Sequence, residues 1–277
     1  MSPFANPVRF VAMRHVRRGS VKSVFAVAGK LLGILFWAQG AGAQSPSAGE
    51  EIQLKLDGDL GMAAYYARSI VREKTDSVTV LPYANFDYGR VFARIDTFGI
   101  KTAKMAHGYL EFAGRVELDG FKADNSRLHG LNGRANSIPL GFGTLQETPV
   151  GAWYVNAFHD FGKSDGNLVD ITYAVSVATG KITIFPQAGV EFFSKQYVRY
   201  YYGVTSQEAV ASRYGYYRPG AAIEPYAGAL VETRISGHWH FIFLIRHNWL
   251  ANSIADSPLV AHKGANNAFV SFAYRFM

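Results

Sequence analysis

Residues 238–250 read HWHFIFLIRHNWL, and their alternation decides the fold. The odd positions are Trp239, Phe241, Phe243, Ile245, His247 and Trp249; the even ones are His238, His240, Ile242, Leu244, Arg246, Asn248 and Leu250. One face is aromatic and aliphatic with tryptophans at both ends, and the other mixes charge with aliphatics. That is the two-residue period of a strand, because a helix would spread these side chains around its circumference. Trp239 and Trp249 are spaced by roughly 33 Å along a strand, or roughly 25 Å of membrane at a tilt of about 40°. The spacing fits an apolar band between two aromatic girdles, and Trp239 and Trp249 are the expected girdle residues. A soluble sandwich with two core tryptophans is the competing reading.

The same period recurs along the chain. Ile52, Leu54, Leu56, Leu60, Met62 and Ala64 alternate with Gln53, Lys55, Asp57 and Asp59. Leu110, Phe112, Val116 and Leu118 alternate with Glu111, Arg115 and Glu117; Ile223, Ala227, Ala229 and Val231 oppose Glu224, Tyr226, Glu232 and Arg234. Ten long segments result: 52–66, 77–100, 107–118, 137–146, 150–161, 167–178, 181–193, 219–234, 238–250 and 265–276. Soluble sandwiches use strands of about five or six residues, whereas transmembrane barrel strands need about 9–11. The fold class expected is all-β, a single antiparallel transmembrane β-barrel of ten strands, with twelve as the alternative. Splitting 77–100 at Gly89-Arg90 gives eleven, an odd number that single-chain bacterial barrels avoid. Long connections (67–76, 119–136, 162–166, 194–218, 251–264) then fall on one side and tight turns such as Thr179-Gly180 and Ser236-Gly237 on the other, the outer-membrane pattern.

Charge locates the leader. The 277 residues hold 28 Lys and Arg against 21 Asp and Glu. Residues 1–43 contain six of the basic side chains (Arg9, Arg14, Arg17, Arg18, Lys22, Lys30) and no acidic one, leaving the rest of the chain near neutrality. No basic footprint for nucleic acid remains. Leu31 to Ala38 supplies a short apolar core, and Ala41-Gly42-Ala43 a small-residue cleavage site before Gln44. Residues 1–43 are therefore expected to be a cleaved signal peptide and 44–277 the barrel domain, exported to the outer membrane of a Gram-negative cell. The absence of cysteine excludes disulfides, thiolate metal sites and a lipoprotein anchor.

The chain closes on Phe269-Val270-Ser271-Phe272-Ala273-Tyr274-Arg275-Phe276-Met277. Phe272, Tyr274 and Phe276 share one face. This resembles the C-terminal insertion signal read by the barrel-assembly machinery, with Met277 one residue past the usual terminal Phe. A closing strand must pair with the first so that no unsatisfied edge meets lipid.

Sites for chemistry do not emerge. His238 and His240 share a strand face without a third ligand, so they read as polar lumen residues rather than a metal site. His159 and Asp160 are adjacent and point to opposite faces, which precludes a catalytic pair. Glu111, Glu117, Glu224 and Glu232 read as partners of Arg115, Arg234, Arg246 and Arg275 in a narrow lumen, not as glycosidase carboxylates. The expectation is no cofactor, no metal and no enzymatic activity.

Tyr201-Tyr202-Gly203-Val204, Glu208-Ala209, Tyr214 and Tyr217 are similar to the "YYGV…EA…Y…Y" block of the MltA-interacting protein (MipA/OmpV) family. Leu128-His129-Gly130-Leu131, Asp256-Ser257-Pro258-Leu259-Val260, Leu81-Pro82-Tyr83 and Tyr274-Arg275-Phe276 match further pieces in order. The resemblance implies an outer-membrane scaffold holding a murein lytic transglycosylase near a penicillin-binding protein in cell-wall synthesis; a small channel or permeability protein and a surface adhesin are the alternatives. Seven tyrosines and three arginines crowd 194–218, and both types dominate binding hot spots. That loop, with Tyr201, Tyr202, Gly203, Val204, Glu208, Ala209, Tyr214 and Tyr217, is the candidate partner-binding site. Its end tyrosines read equally as an outer girdle touching lipid or lipopolysaccharide headgroups. A loop facing outside cannot reach a periplasmic enzyme, so scaffolding requires that it fold inward or that the short turns and the 44–51 segment make the contact.

Overall fold

The computed structural model describes residues 55–72, 77–123 and 127–276. The expected signal peptide, 1–43, lies outside the described residues. Thirteen strand segments form one antiparallel sheet: β1 (Leu56–Ala67), β2 (Ser77–Tyr88), β3 (Val91–Arg94), β4 (Thr97–Met105), β5 (Gly108–Arg115), β6 (Leu140–Thr148), β7 (Gly151–His159), β8 (Asn167–Val175), β9 (Val177–Thr179), β10 (Ile182–Phe193), β11 (Ala222–Ser236), β12 (Trp239–Trp249) and β13 (Gly264–Phe276). β9 continues β8 past Ser176, and both pair with β10. β13 pairs with β1 from Gly58↔Phe276 to Ala67↔Asn267, closing a twelve-stranded barrel with no free edge at the seam.

The count is thus the alternative, twelve, and the correction sits in one segment. Residues 77–100 do not form one strand. They turn at Gly89-Arg90, where Gly89 has φ +59°, and again at Ile95-Asp96, where Ile95 has φ +61°. A β-branched residue in the left-handed region is strained. Tertiary contacts hold the turn: Thr97 donates to Asp96 (2.9 Å), and the Asp96 carboxylate lies 3.6 Å from the Arg115 guanidinium. β3 pairs with only Asn85–Tyr88, so β2 rises well beyond its neighbour.

Alternation sets the two faces. Met62, Phe142, Ile223, Ile245 and Phe272 point outward and are exposed, while their strand neighbours are buried inside. Side chains fill the lumen in register rows. Phe185, Leu230, Leu244, Phe269 and Tyr65 occupy one row across five strands and form a buried apolar arc. On its terminus side lies a charged group: Arg275 grips Asp59 through two 2.8 Å bonds and reaches Glu232 at 2.7 Å, and Glu232 lies 3.0 Å from His240. On its loop side, Glu191 bridges Arg115 (2.6 Å) and Arg246 (2.5 Å), and Arg246 stacks 3.4 Å above the ring of Tyr226. The connections after β1, β5, β7, β10 and β12 gather at one end, on the same side as the tight Ile95-Asp96 turn, and the other short turns lie at the opposite end. The main hydrophobic cluster belongs to those connections.

Candidate functional site: the tyrosine-rich cap

The connection after β10 begins with helix α1 (Lys195–Tyr202). Tyr197 and Tyr201, then Val198 and Tyr202, recur four residues apart, so they share a helix face; all four are buried. Gly203 ends the helix with its N–H on the Arg199 carbonyl at 3.0 Å. A Cβ there would stand 2.4 Å from that oxygen, so the backbone needs glycine. Val204 and Tyr217 then pair as a bridge, with bonds of 2.9 and 3.0 Å.

Helix α2 (Ser206–Ala211) starts on a capping box. Thr205 Oγ1 accepts from the Glu208 N–H at 3.2 Å, and Glu208 accepts from the Thr205 N–H at 2.9 Å. The other Glu208 oxygen accepts from the Asn132 N–H (2.9 Å) and from Arg134 (2.8 Å). Arg134 also donates to the carbonyls of Asn132 (2.6 Å), Gly203 (3.4 Å) and Tyr200. Burial raises the cost of the Glu208 charge, but the N–H groups of Thr205 and Asn132 and the Arg134 guanidinium outweigh it and hold the carboxyl below its ordinary range. Burial pushes the Tyr197, Tyr201 and Tyr202 phenols up. Their hydroxyls donate to polar partners: Tyr197 and Tyr202 to Asp119 (2.9 and 3.4 Å), Tyr201 to Ser137 (3.2 Å).

Two of the further motif pieces, 128–131 and 256–260, meet the tyrosine block here; Tyr274-Arg275-Phe276 lies at the opposite end of the barrel. Gly130, at φ +87°, lies so close to the Ala211 carbonyl that a Cβ would stand 2.0 Å from it. Ser257 donates to the Tyr202 carbonyl at 2.7 Å, Tyr217 to the Ser253 carbonyl at 3.2 Å, and Leu259 and Val260 join the same apolar cluster.

The tyrosine block packs inward, one of the two arrangements that the sequence left open. Tyr201, Tyr202, Gly203, Val204, Glu208 and Tyr214 are buried, and Ala209 and Tyr217 half-buried, because the helical period turns the apolar face of α1 onto the barrel mouth. Thr205–Gln207, Val210, Ala211, Arg213, Tyr216 and Arg218 are among the residues that stay exposed, Val210 to 90%. Trp239 and Trp249 stand exposed on the outward face at opposite ends of β12, and Trp239 stacks on Phe272 at 4.6 Å. Phe272, Tyr274 and Phe276 share the outward face of β13. His159 bonds Asn167 and Asp165 while Asp160 binds Ser164, so the two do not pair. No group of three or more metal-ligating side chains is found among the described residues. Glu117, Glu111 and Glu232 pair with Arg115, Arg94 and Arg275. Glu224 instead accepts the Ala251 N–H at 3.3 Å. The partners missed in sequence were Arg94 and Glu191, both lumen-facing charges on strands whose pairing the split of 77–100 or distant register decides.

Residues 60–276 match the family described as MltA-interacting protein MipA. The chain belongs to that family. It is 25% identical over 160 residues to the MltA-interacting protein of Escherichia coli K12, covering 56% of this chain and 64% of the relative, just under two thirds of that protein's length. It is 20% identical over 221 residues to the putative outer membrane protein YiaT of the same strain, covering 78% and 90%. Outer membrane protein OmpV of Vibrio cholerae is 25% identical over 150 residues, covering 53% and 57%. Family and barrel together place the protein in the outer membrane.

Proposed function

We propose that this protein is a non-enzymatic outer-membrane scaffold whose periplasmic end holds a murein lytic transglycosylase, with a penicillin-binding protein as the second partner. The observation that carries the reading is the filled lumen. A buried cap at one end and the buried arc of Phe185, Leu230, Leu244 and Phe269 in mid-barrel leave the surface as the working part. The relative named MltA-interacting protein supports the transglycosylase as partner. The inward fold of the cap removes the buried tyrosines as contacts, so the partner surface is the ring of short turns. Arg90, His107, Lys181 and His238 stand exposed there.

The test is chemical cross-linking of intact envelopes followed by affinity capture. Recovery of a lytic transglycosylase or penicillin-binding protein, lost when Arg90, His107 and Lys181 are replaced together, is the expected result. Capture of only general porins and lipopolysaccharide would overturn the scaffold. Steady single-channel current from the purified protein would favour the channel reading instead.

A further inference from the structure

Two depressions adjoin on the outward wall at the loop end of β5–β8. One, of about 470 Å³, is lined by Val116, Leu118, Ile138 and Lys163; the other, of about 610 Å³, by Phe112, Phe142, Ala157 and Val169. Leu140 and Phe161 line both and make them continuous. The first opens because β4 begins at Thr97: Val116 donates to Asp96 at 2.9 Å, and past it no strand among the described residues stands beside Leu118 on that side. The second has the small Ala157 as its floor, opposite Phe142 in the β6–β7 register.

Phe161 roofs the junction and is 74% exposed. Its loop is fixed, since the Asp160 carboxylate accepts from the Ser164 N–H (3.0 Å) and hydroxyl (2.7 Å), and His159 bonds Asn167 (2.7 Å). These bonds turn the Asp160 charge onto its own loop and leave Lys163 as the cation lining the groove. In a bilayer, water does not fill an apolar trough, and acyl chains do. Long connections face the outside in outer-membrane barrels, which puts the groove in the outer leaflet. The lipid of that leaflet is acylated and carries phosphate, matching an apolar trough that ends at a lysine.

We propose that this groove is a binding site for one lipopolysaccharide, with an acyl chain against Ala157 and Leu140 and a phosphate at Lys163. The site stands whether or not the protein is a scaffold; it needs only the outer-membrane placement.

The experiment compares full-length wild type with Ala157→Trp, which fills the trough, Lys163→Glu, which reverses the charge, and Ile245→Trp, on the lipid-facing side of β12. Each is extracted from outer membranes in mild detergent and its bound lipid identified by mass. Wild type and Ile245→Trp are expected to retain lipopolysaccharide, while Ala157→Trp and Lys163→Glu retain roughly tenfold less. Equal retention by all four, or phospholipid retained in its place, would overturn the site. Should Ala157→Trp fail to assemble, the decision rests on Lys163→Glu, whose substitution lies in a loop. Purified, lipid-depleted wild type should then gain thermal stability from added lipopolysaccharide and the variant should not. An equal gain by both would overturn the assignment.

Discussion

Arg134 and Glu208 meet at 2.8 Å although 74 residues separate them, and both are buried. This pair ties the connection after β5 to the connection after β10. Glu208 also closes the capping box of α2, so one carboxylate fixes two loops at once. Removing one partner of a buried ion pair strands the other, at a cost of about 3–5 kcal/mol. Glu208→Ala is therefore expected to loosen the cap while leaving the barrel closed. Limited proteolysis should cut within 195–218 in the variant and not in wild type, with strand content by circular dichroism unchanged. Loss of the strand signal would show that cap and barrel fold as one unit.

The pH dependence of that latch follows in sign. Glu208 has its folded carboxyl below its ordinary range. Its contribution is complete above the unfolded value of about 4.3 and is lost as pH falls through the lower folded value. The cap should stay protease-resistant at neutral pH and open only below about pH 4. Glu208→Gln should abolish this acid transition, with the variant equally susceptible on both sides. An acid transition that persists in Glu208→Gln would assign it to another group.

Much of this was legible in sequence, and the failures have physical causes. The barrel could be read from 238–250 because lipid outside and side chains inside impose a strict two-residue period. The Ile95-Asp96 turn could not, since a β-branched residue is disfavoured at the positive φ that Ile95 adopts, and its support comes from Arg115, at the far end of the next hairpin. The cap was half visible. Thr205-x-x-Glu208 is a capping-box pattern, and Tyr197/Tyr201 with Val198/Tyr202 has helical spacing, yet tyrosine clusters mark both hot spots and buried cores. Only the long-range contacts with Asp119, Ser137 and Arg134 decide between them.

Gly130 tests whether the motif pieces are contacts rather than isolated signals. Its positive φ and its approach to Ala211 leave no room for a side chain. Gly130→Ala adds left-handed strain, typically about 1–3 kcal/mol, to a clash with backbone. The expected result is a lower melting temperature and proteolysis at α2, although the substitution lies far from that helix in sequence. A variant as stable as wild type would mean that the close approach is not maintained in the membrane.

Arg246 tests the lumen. It is fully buried, its guanidinium bonds Glu191 and Asn248, and it stacks on Tyr226. Arg246→Met keeps the volume but leaves Glu191 with one cation, Arg115. The penalty expected is about 3–5 kcal/mol, whereas Arg246→Met combined with Glu191→Gln should recover a large part of it, because the buried charges then balance better. Heat-modified mobility on gels, scanned with temperature, reports barrel unfolding for both. A double variant as damaged as the single one would show that shape and stacking, not charge, dominate there.

The apolar arc gives the last prediction. Phe185, Leu230, Leu244 and Phe269 lie below the Glu191–Arg246 group and are buried outside the hydrophobic cluster of the cap. Apolar constrictions block ions by excluding water, so the arc should act as a second seal. Replacing 195–218 with a short Gly/Ser linker is expected to leave planar bilayers silent. Adding Leu230→Ser and Leu244→Ser to that variant should then admit water and produce current, while the same two substitutions under an intact cap should not. Steady current from the linker variant with the arc intact would assign the seal to the cap alone and reopen the channel reading.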